Sequence, residues 1–360
     1  MKPLECFDPD WVSPPGDTIL ALGARHGLSR KTLAKSLEMD FAAFEELLEG
    51  RRPLDAPIAE QLALTLGASK SFWVNRYSRY QDSLLSAALK LQREVKFPLA
   101  DMRRFGWISS GGTESEAILA AVNFMGVRSV DEFECQFGRV EEALAFRRSA
   151  SFDMEIGAVS AWYRAAKIQA ESLAVDRWNP EGFSACLSEV RRFSTLHDPA
   201  IFMPKIRGVF SRYGVALCIV PAPVGCPVSG IARFDDGVGL ISLSSRHLTD
   251  DHFWFSLFHE AAHLLLHGEM ISIEVENGIT PKEEVEANNF AAKVIIPPER
   301  EGDIDNVSLS KFGIARLAKS LGVSPGLIVG QLQYRKKVRF NQFNYLKTRF
   351  KWSGVSLEMA

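Results

Sequence analysis

The chain has 360 residues, 46% of them hydrophobic and 24% charged, with 42 Lys and Arg against 44 Asp and Glu for a formal net charge of −2. That length allows two or three domains with substantial cores, and the balance excludes a global field favouring nucleic acid or an anionic membrane. The opening MKPLECFDPDWVSPPGD is acidic and reads as no targeting segment, no apolar run of about eighteen residues occurs, and Cys6, Cys135, Cys186, Cys218 and Cys226 form no CxxC pair; the expectation is a reduced, cytoplasmic protein without a membrane span.

In chain order, residues 14 to 66 read as short helices separated by tight turns. Ser29 is placed to cap a helix with Leu33, Ala34 and Leu37 on its buried stripe, and Asp40 to cap a second that packs Phe44, Leu47 and Leu48. Gly50 closes that helix, another runs to Leu66 and stops at Gly67, and a further helix spans about Ser71 to Arg93. Two helices joined by a short turn are the helix-turn-helix arrangement. From Phe97 to Arg192 the pattern stays helical, as in Val159, Trp162 and Ala166, and reads as a connector. From Gly214 it changes to short β-rich runs (214–220, 229–234 and 239–243) bounded by glycine, proline and Asp235-Asp236, which predict a small sheet. Helices are then expected from Thr249 to His267, from Pro281 to Ile295 and in Ser308 to Gln333, ahead of a basic and aromatic tail. In that tail Arg335, Lys336, Lys337 and Arg339 stand among Phe340, Phe343, Tyr345 and Trp352; this reads as a solvated charged face whose aromatics pack on the preceding domain.

The chemistry lies in Phe258-His259-Glu260-Ala261-Ala262-His263, an HExxH pattern inside an apolar helix. Residues four apart share a helical face, so His259 and His263 can present imidazole nitrogens to one metal ion. Glu260 is rotated by about 100°, beside the metal, where a base takes a proton from the attacking water. On a buried helix these groups are costly unless paired or metal-bound. A hydrolytic zinc site needs a third protein ligand and an open position. A histidine ten residues after His259 is ruled out, because Glu269 stands there. The next helix offers Glu284 and Asn288, four apart on one face, so that one ligates and the other orients a ligating histidine. Glu286 points elsewhere on that helix, and periodicity alone puts Glu284 modestly ahead of it. His267, one turn beyond the motif, is a candidate to support His263. No Tyr, His or Arg can be placed by spacing as an oxyanion donor, and Cys218 and Cys226 read as packing thiols. A strand at Leu240 to Leu243 is expected to pair edge-on with an extended substrate.

These residues, with Asp251-His252-Phe253-Trp254-Phe255, Ala287-Asn288-Asn289-Phe290-Ala291-Ala292 and Ile295-Ile296-Pro297, resemble the ImmA/IrrE-type metallopeptidases over roughly residues 200 to 335. The resemblance implies His259, His263 and Glu284 as ligands of Zn2+, Glu260 as catalytic base, and a protein substrate, typically a repressor whose cleavage relieves repression in mobile-element control or stress responses. Residues 14 to 80 resemble the HigA-like antitoxin branch of XRE helix-turn-helix domains, notably in Gly50-Arg51-Arg52-Pro53 and Ser71-Phe72-Trp73.

The expected architecture is α+β: an all-α helix-turn-helix domain (1–80), a helical connector (81–200), a zincin-like metallopeptidase domain with a small sheet and the HExxH helix (201–300), and a C-terminal helical region with its tail (301–360). The helix from Asp40 to Glu49 offers acidic or apolar side chains where a DNA reader offers Arg, Lys, Asn, Gln or Ser. Arg30, Lys31, Lys35, Arg51 and Arg52 are the candidate phosphate contacts. Phe41 is the candidate contact for a protein, either the repressor or a second copy of this chain. The leading expectation is a zinc endopeptidase of narrow specificity. Its competitor is a DNA-binding regulator or antitoxin in which the peptidase fold acts only as a sensor.

Overall fold

The computed structural model describes residues 13–145, 155–235, 237–268, 272–275 and 282–360; Cys6, Glu269 and Pro281 lie outside them. These residues separate into two compact units, 13–94 with Gly112–Cys135, and Val95–Gly111 with the described residues from Gln136 onward.

The first unit is helical: α1 (Pro15–Arg25), α2 (Arg30–Ser36), α3 (Phe41–Leu48), α4 (Ala56–Leu66) and α5 (Lys70–Val95). Local chemistry sets the starts, since each N-cap side chain satisfies an amide the helix cannot. Ser29 accepts from the Thr32 amide, Asp40 from Ala43 and Asp55 from Ile58. Ile19, Leu33, Phe44, Leu47, Leu62 and Trp73 fill the core. Gly16 is required there, because a Cβ on it would stand 2.1 Å from the Leu48 carbonyl oxygen. After α6 (Leu99–Arg104), which belongs to the second unit, a Thr113–Glu116 capping box starts α7 (Glu114–Met125), and α8 (Val130–Ala145) follows.

The second unit continues with α9 (Ile156–Glu171), α10 (Pro180–Arg192) and α11 (Pro199–Ser211), then β1 (Val215–Ile219), β2 (Val228–Asp235) and β3 (Val238–Leu243). Next come α12 (Asp250–Leu266), β4 (Ser272–Val275), α13 (Lys282–Ile295), α14 (Glu301–Asp305), α15 (Lys311–Leu321), α16 (Pro325–Tyr334) and a hairpin of β5 (Phe350–Ser353) and β6 (Ser356–Met359). The larger sheet has the order β1-β3-β2-β4, with β1 and β3 parallel and β2 antiparallel to both neighbours. This corrects the expectation of an edge at Leu240 to Leu243. Leu240 pairs with Ala216 on one side and Arg233 on the other, so β3 is internal and the edges are β1 and β4. A strand buried on both faces reads as a continuous apolar run whatever its place in the sheet, so the run alone did not reveal which strand is central.

Helix α12 carries the HExxH residues and is buried along almost its whole length. Its Trp254 ring lies 5.2 Å from Phe202 of α11 and 6.2 Å from Phe258, in a core that includes Ile241, Leu257 and Ile328. Tight packing of this kind holds the motif side chains in fixed rotamers. The expected C-terminal helical region is broken: α15 and α16 meet at 108° across Gly322 and Val323, and Ser324 caps the second. The tail forms the small hairpin, with Phe350 buried in the same core. Among the described residues no single helix is long and apolar enough to cross a membrane.

The first turn of α12 is tied to distant chain. Buried Asp250 accepts from the Ser324 hydroxyl at 2.7 Å and from the Thr348 amide at 3.0 Å, and Lys347 meets Asp251 at 2.6 Å, their side chains 9% and 7% exposed. Burial is the main cause that pushes the Asp250 carboxyl up to about 6, its two donors only partly opposing it. An acid with a raised folded-state pKa binds its proton more tightly when folded, so this contribution to stability is present at low pH and is lost as pH rises through about 6. Asp250→Asn removes the titration. Its stability relative to wild type is therefore expected to improve by about 2 kcal/mol between pH 4 and pH 7.5 in denaturant unfolding. A pH-independent difference would contradict the assignment.

Candidate metal centre

The HExxH spacing places His259 and His263 one turn apart on α12, and α13 crosses that face so that Glu284 reaches both. The two Nε2 atoms are 3.0 Å apart, and the Glu284 oxygens lie 3.1 Å from His259 Nε2 and 3.3 Å from His263 Nε2. Zinc–nitrogen bonds of about 2.05 Å at tetrahedral angles put neighbouring ligand atoms about 3.3 Å apart. The observed triangle has these dimensions, and His259, His263 and Glu284 together could hold a metal ion.

The opposite side of each imidazole is also engaged. His259 Nδ1 lies 3.0 Å from Asn288 Oδ1, which accepts its proton and leaves the Nε2 lone pair toward Glu284. His263 Nδ1 lies 2.9 Å from His267 Nδ1, and His267 Nε2 is 3.2 Å from Glu286 Oε2. Glu286 therefore faces His267, while Glu284, two residues earlier, faces the histidine pair. Burial pushes His263 down to about 4, against a lift from Glu284, which keeps the ring neutral at physiological pH as ligation requires. Partners of this kind commonly contribute 10–100-fold to metal affinity. Asn288→Ala is thus expected to weaken zinc binding by about that factor in a competition titration with a chromophoric chelator; unchanged affinity would remove Asn288 from the site.

Glu260 is fully buried one position from His259 and outside the ligand triangle. It lies against β2, where a Cβ at Gly230 would stand 2.4 Å from Glu260 Oε1, so a larger residue there would displace the carboxylate from where it sits. Sequence reasoning passed over Gly230, although an isolated glycine within a strand marks the close approach of another group. Cys218 and Cys226 are buried, and desolvation pushes both thiols up to about 12, which suits packing and not ligation.

In the first unit, Arg30 pairs with Glu45 of α3 at 3.1 Å and Arg51 pairs with Glu49. Lys31, Lys35 and Arg52 are exposed, and Phe41, the first residue of α3, is 48% exposed.

Residues 219–332 match the family model of the IrrE N-terminal-like domain, Peptidase_M78, and the matched stretch contains all three converging ligand candidates and Glu260. The match supports the ImmA/IrrE peptidase family for this part of the chain. No curated protein and no solved structure matches the chain.

Proposed function

We propose that the chain is a zinc-dependent endopeptidase of narrow specificity that cleaves a repressor or partner protein to control transcription. The observation that carries this reading is the convergence of His259, His263 and Glu284 with buried Glu260 beside them, within the Peptidase_M78 match. Bound zinc would supply Lewis-acid chemistry, polarising the scissile carbonyl and making water more acidic. Glu260 takes a proton from the attacking water and returns it to the leaving amine. Asn288 and the His267–Glu286 pair hold the two imidazoles in the tautomers that direct Nε2 inward. An extended substrate pairs with the outer edge of β4, an edge strand of the sheet.

The N-terminal unit, with α2 and α3 joined by the turn 37–40, is proposed as an XRE-like helix-turn-helix module used for protein recruitment. Pairing of Arg30 and Arg51 with glutamates lowers the positive charge offered to phosphate, and exposed Phe41 favours a protein contact. The test is incubation of the zinc-loaded protein with the repressor encoded nearest its gene. Two discrete fragments, absent with chelator, are expected. A tight complex between the protein and its own promoter, with no partner ever cleaved, would favour a regulator instead.

A further inference from the structure

A cavity of about 490 Å³ runs along the N-terminal half of α12, walled by α16 and the segment before β5. It adjoins the metal centre. Asn288, which holds His259 Nδ1 at 3.0 Å, lines it, and Phe255 in its wall has its ring 6.2 Å from that of His259. Its size falls within the range of about 300–1,000 Å³ usual for specific pockets. We propose that this cavity is a substrate subsite that takes an acidic side chain, aspartate or glutamate, of the protein to be cleaved. The assignment as a substrate subsite rests on the peptidase reading above.

The charge of the lining carries the assignment. Lys347 and Arg349 line the cavity against a single carboxylate, that of Asp251. This carboxylate is already matched, because Asp251 Oδ2 lies 2.6 Å from Lys347 Nζ. Arg349 is exposed, and its guanidinium makes no hydrogen bond or ion pair among the described residues. One permanent positive charge is therefore left over in a concave site, where low-dielectric walls strengthen its pull on an anion. The guanidinium fork also matches a carboxylate with two parallel hydrogen bonds. Lys347 adds a fixed charge beside it, since its ammonium also donates to Gln333 Oε1 at 2.8 Å and its side chain is only 9% exposed. The imidazoles of His247 and His252, stacked with centroids 4.2 Å apart, line the same wall and bring no negative charge. Phe255 and Leu327 give the methylenes of the occupant an apolar surface. A lysine or arginine side chain would meet like charge with the one carboxylate already taken, and a neutral side chain would leave Arg349 unmatched.

The test measures binding, so it is independent of turnover. The zinc-loaded full chain is titrated with N-acetyl-glutamate amide, N-acetyl-glutamine amide and N-acetyl-lysine amide, followed by ligand-observed NMR. The glutamate derivative is expected to bind about five- to tenfold more tightly than its neutral isostere, and the lysine derivative more weakly than either. Acetate, a carboxylate without the peptide frame, should bind at least about fivefold more weakly than the glutamate derivative. In Arg349→Gln the glutamate preference over glutamine should fall to near one, and Arg349→Lys should keep most of it. Arg349 is exposed, so the thermal midpoint of both variants should be unchanged. Lys351→Gln removes an exposed cation of β5 that does not line the cavity and should leave the preference as it is. A preference that survives Arg349→Gln places the carboxylate on the metal or elsewhere, and one that falls equally in Lys351→Gln reflects the overall field alone. Either result overturns the proposal, as do equal binding of glutamate and glutamine, preference for lysine, or acetate bound as tightly; all of them leave the metal-centre reading intact. If the preference behaves as expected while no protein is ever cleaved, the peptidase reading fails, and with it the assignment of this anion-binding cavity to a substrate.

Discussion

Glu260→Gln is expected to lower the rate of partner cleavage by about 10²- to 10⁴-fold, the usual contribution of a positioned general base. The substitution keeps the shape of the side chain. Gly230 still leaves it room, so the amide fits where the carboxylate sits. Glu260 is not one of the three converging ligand groups, so zinc stoichiometry by elemental analysis should be unchanged. Stability should be equal or higher, because a fully buried ionisable group has been neutralised. Loss of cleavage with zinc and fold retained is the combination that identifies a base. Cleavage at the wild-type rate would show that the proton goes elsewhere, and loss of zinc together with activity would show that Glu260 is a ligand.

Metal removal is the second large effect. In the metal-free protein three lone-pair donors crowd a site where the two Nε2 atoms stand 3.0 Å apart, and a cation relieves that repulsion only in the folded state. At free zinc about 1,000 times the dissociation constant, linkage predicts about 4 kcal/mol of added stability. For a folding unit of this size that corresponds to roughly 10 °C in the thermal midpoint. His263→Asn should abolish the zinc-induced shift while the metal-free midpoint changes little. A zinc-independent midpoint in wild type, combined with absent zinc at equilibrium, would remove the metal and with it the hydrolase reading.

Much of this was legible because the informative signals are local. Ser29 and Asp40 each cap a helix through an amide three residues on, which a short window reveals, and the HExxH spacing is itself a statement about one helical face. On the next helix periodicity put Glu284 and Asn288 on one face and Glu284 only modestly ahead of Glu286, and the family resemblance singled out Glu284 as the ligand. What escaped was non-local. The internal position of β3 depends on β1 and β2 pairing with it from both sides, which no window of sequence displays. The ion pair of Asp251 with Lys347 joins residues far apart in the chain, and nothing about either lysine or aspartate in isolation announces it. The tail followed the expectation only in part: Phe343 and Trp352 pack against the core and Phe350 lies within it, whereas Phe340 and Tyr345 are 76% and 68% exposed, and its hairpin strands FKWS and SLEM alternate but are only four residues each. The cavity is invisible for the same reason, being assembled from α12, α16 and the segment before β5.

The dependence of the motif helix on Thr348 and Lys347 also orders events in time. A ribosome delivers Asp250 74 residues before Ser324 and 98 before Thr348, so the helix start gains its native donors in stages. The first turn of the motif helix is therefore fully tied down only once Lys347 and Thr348 have been made.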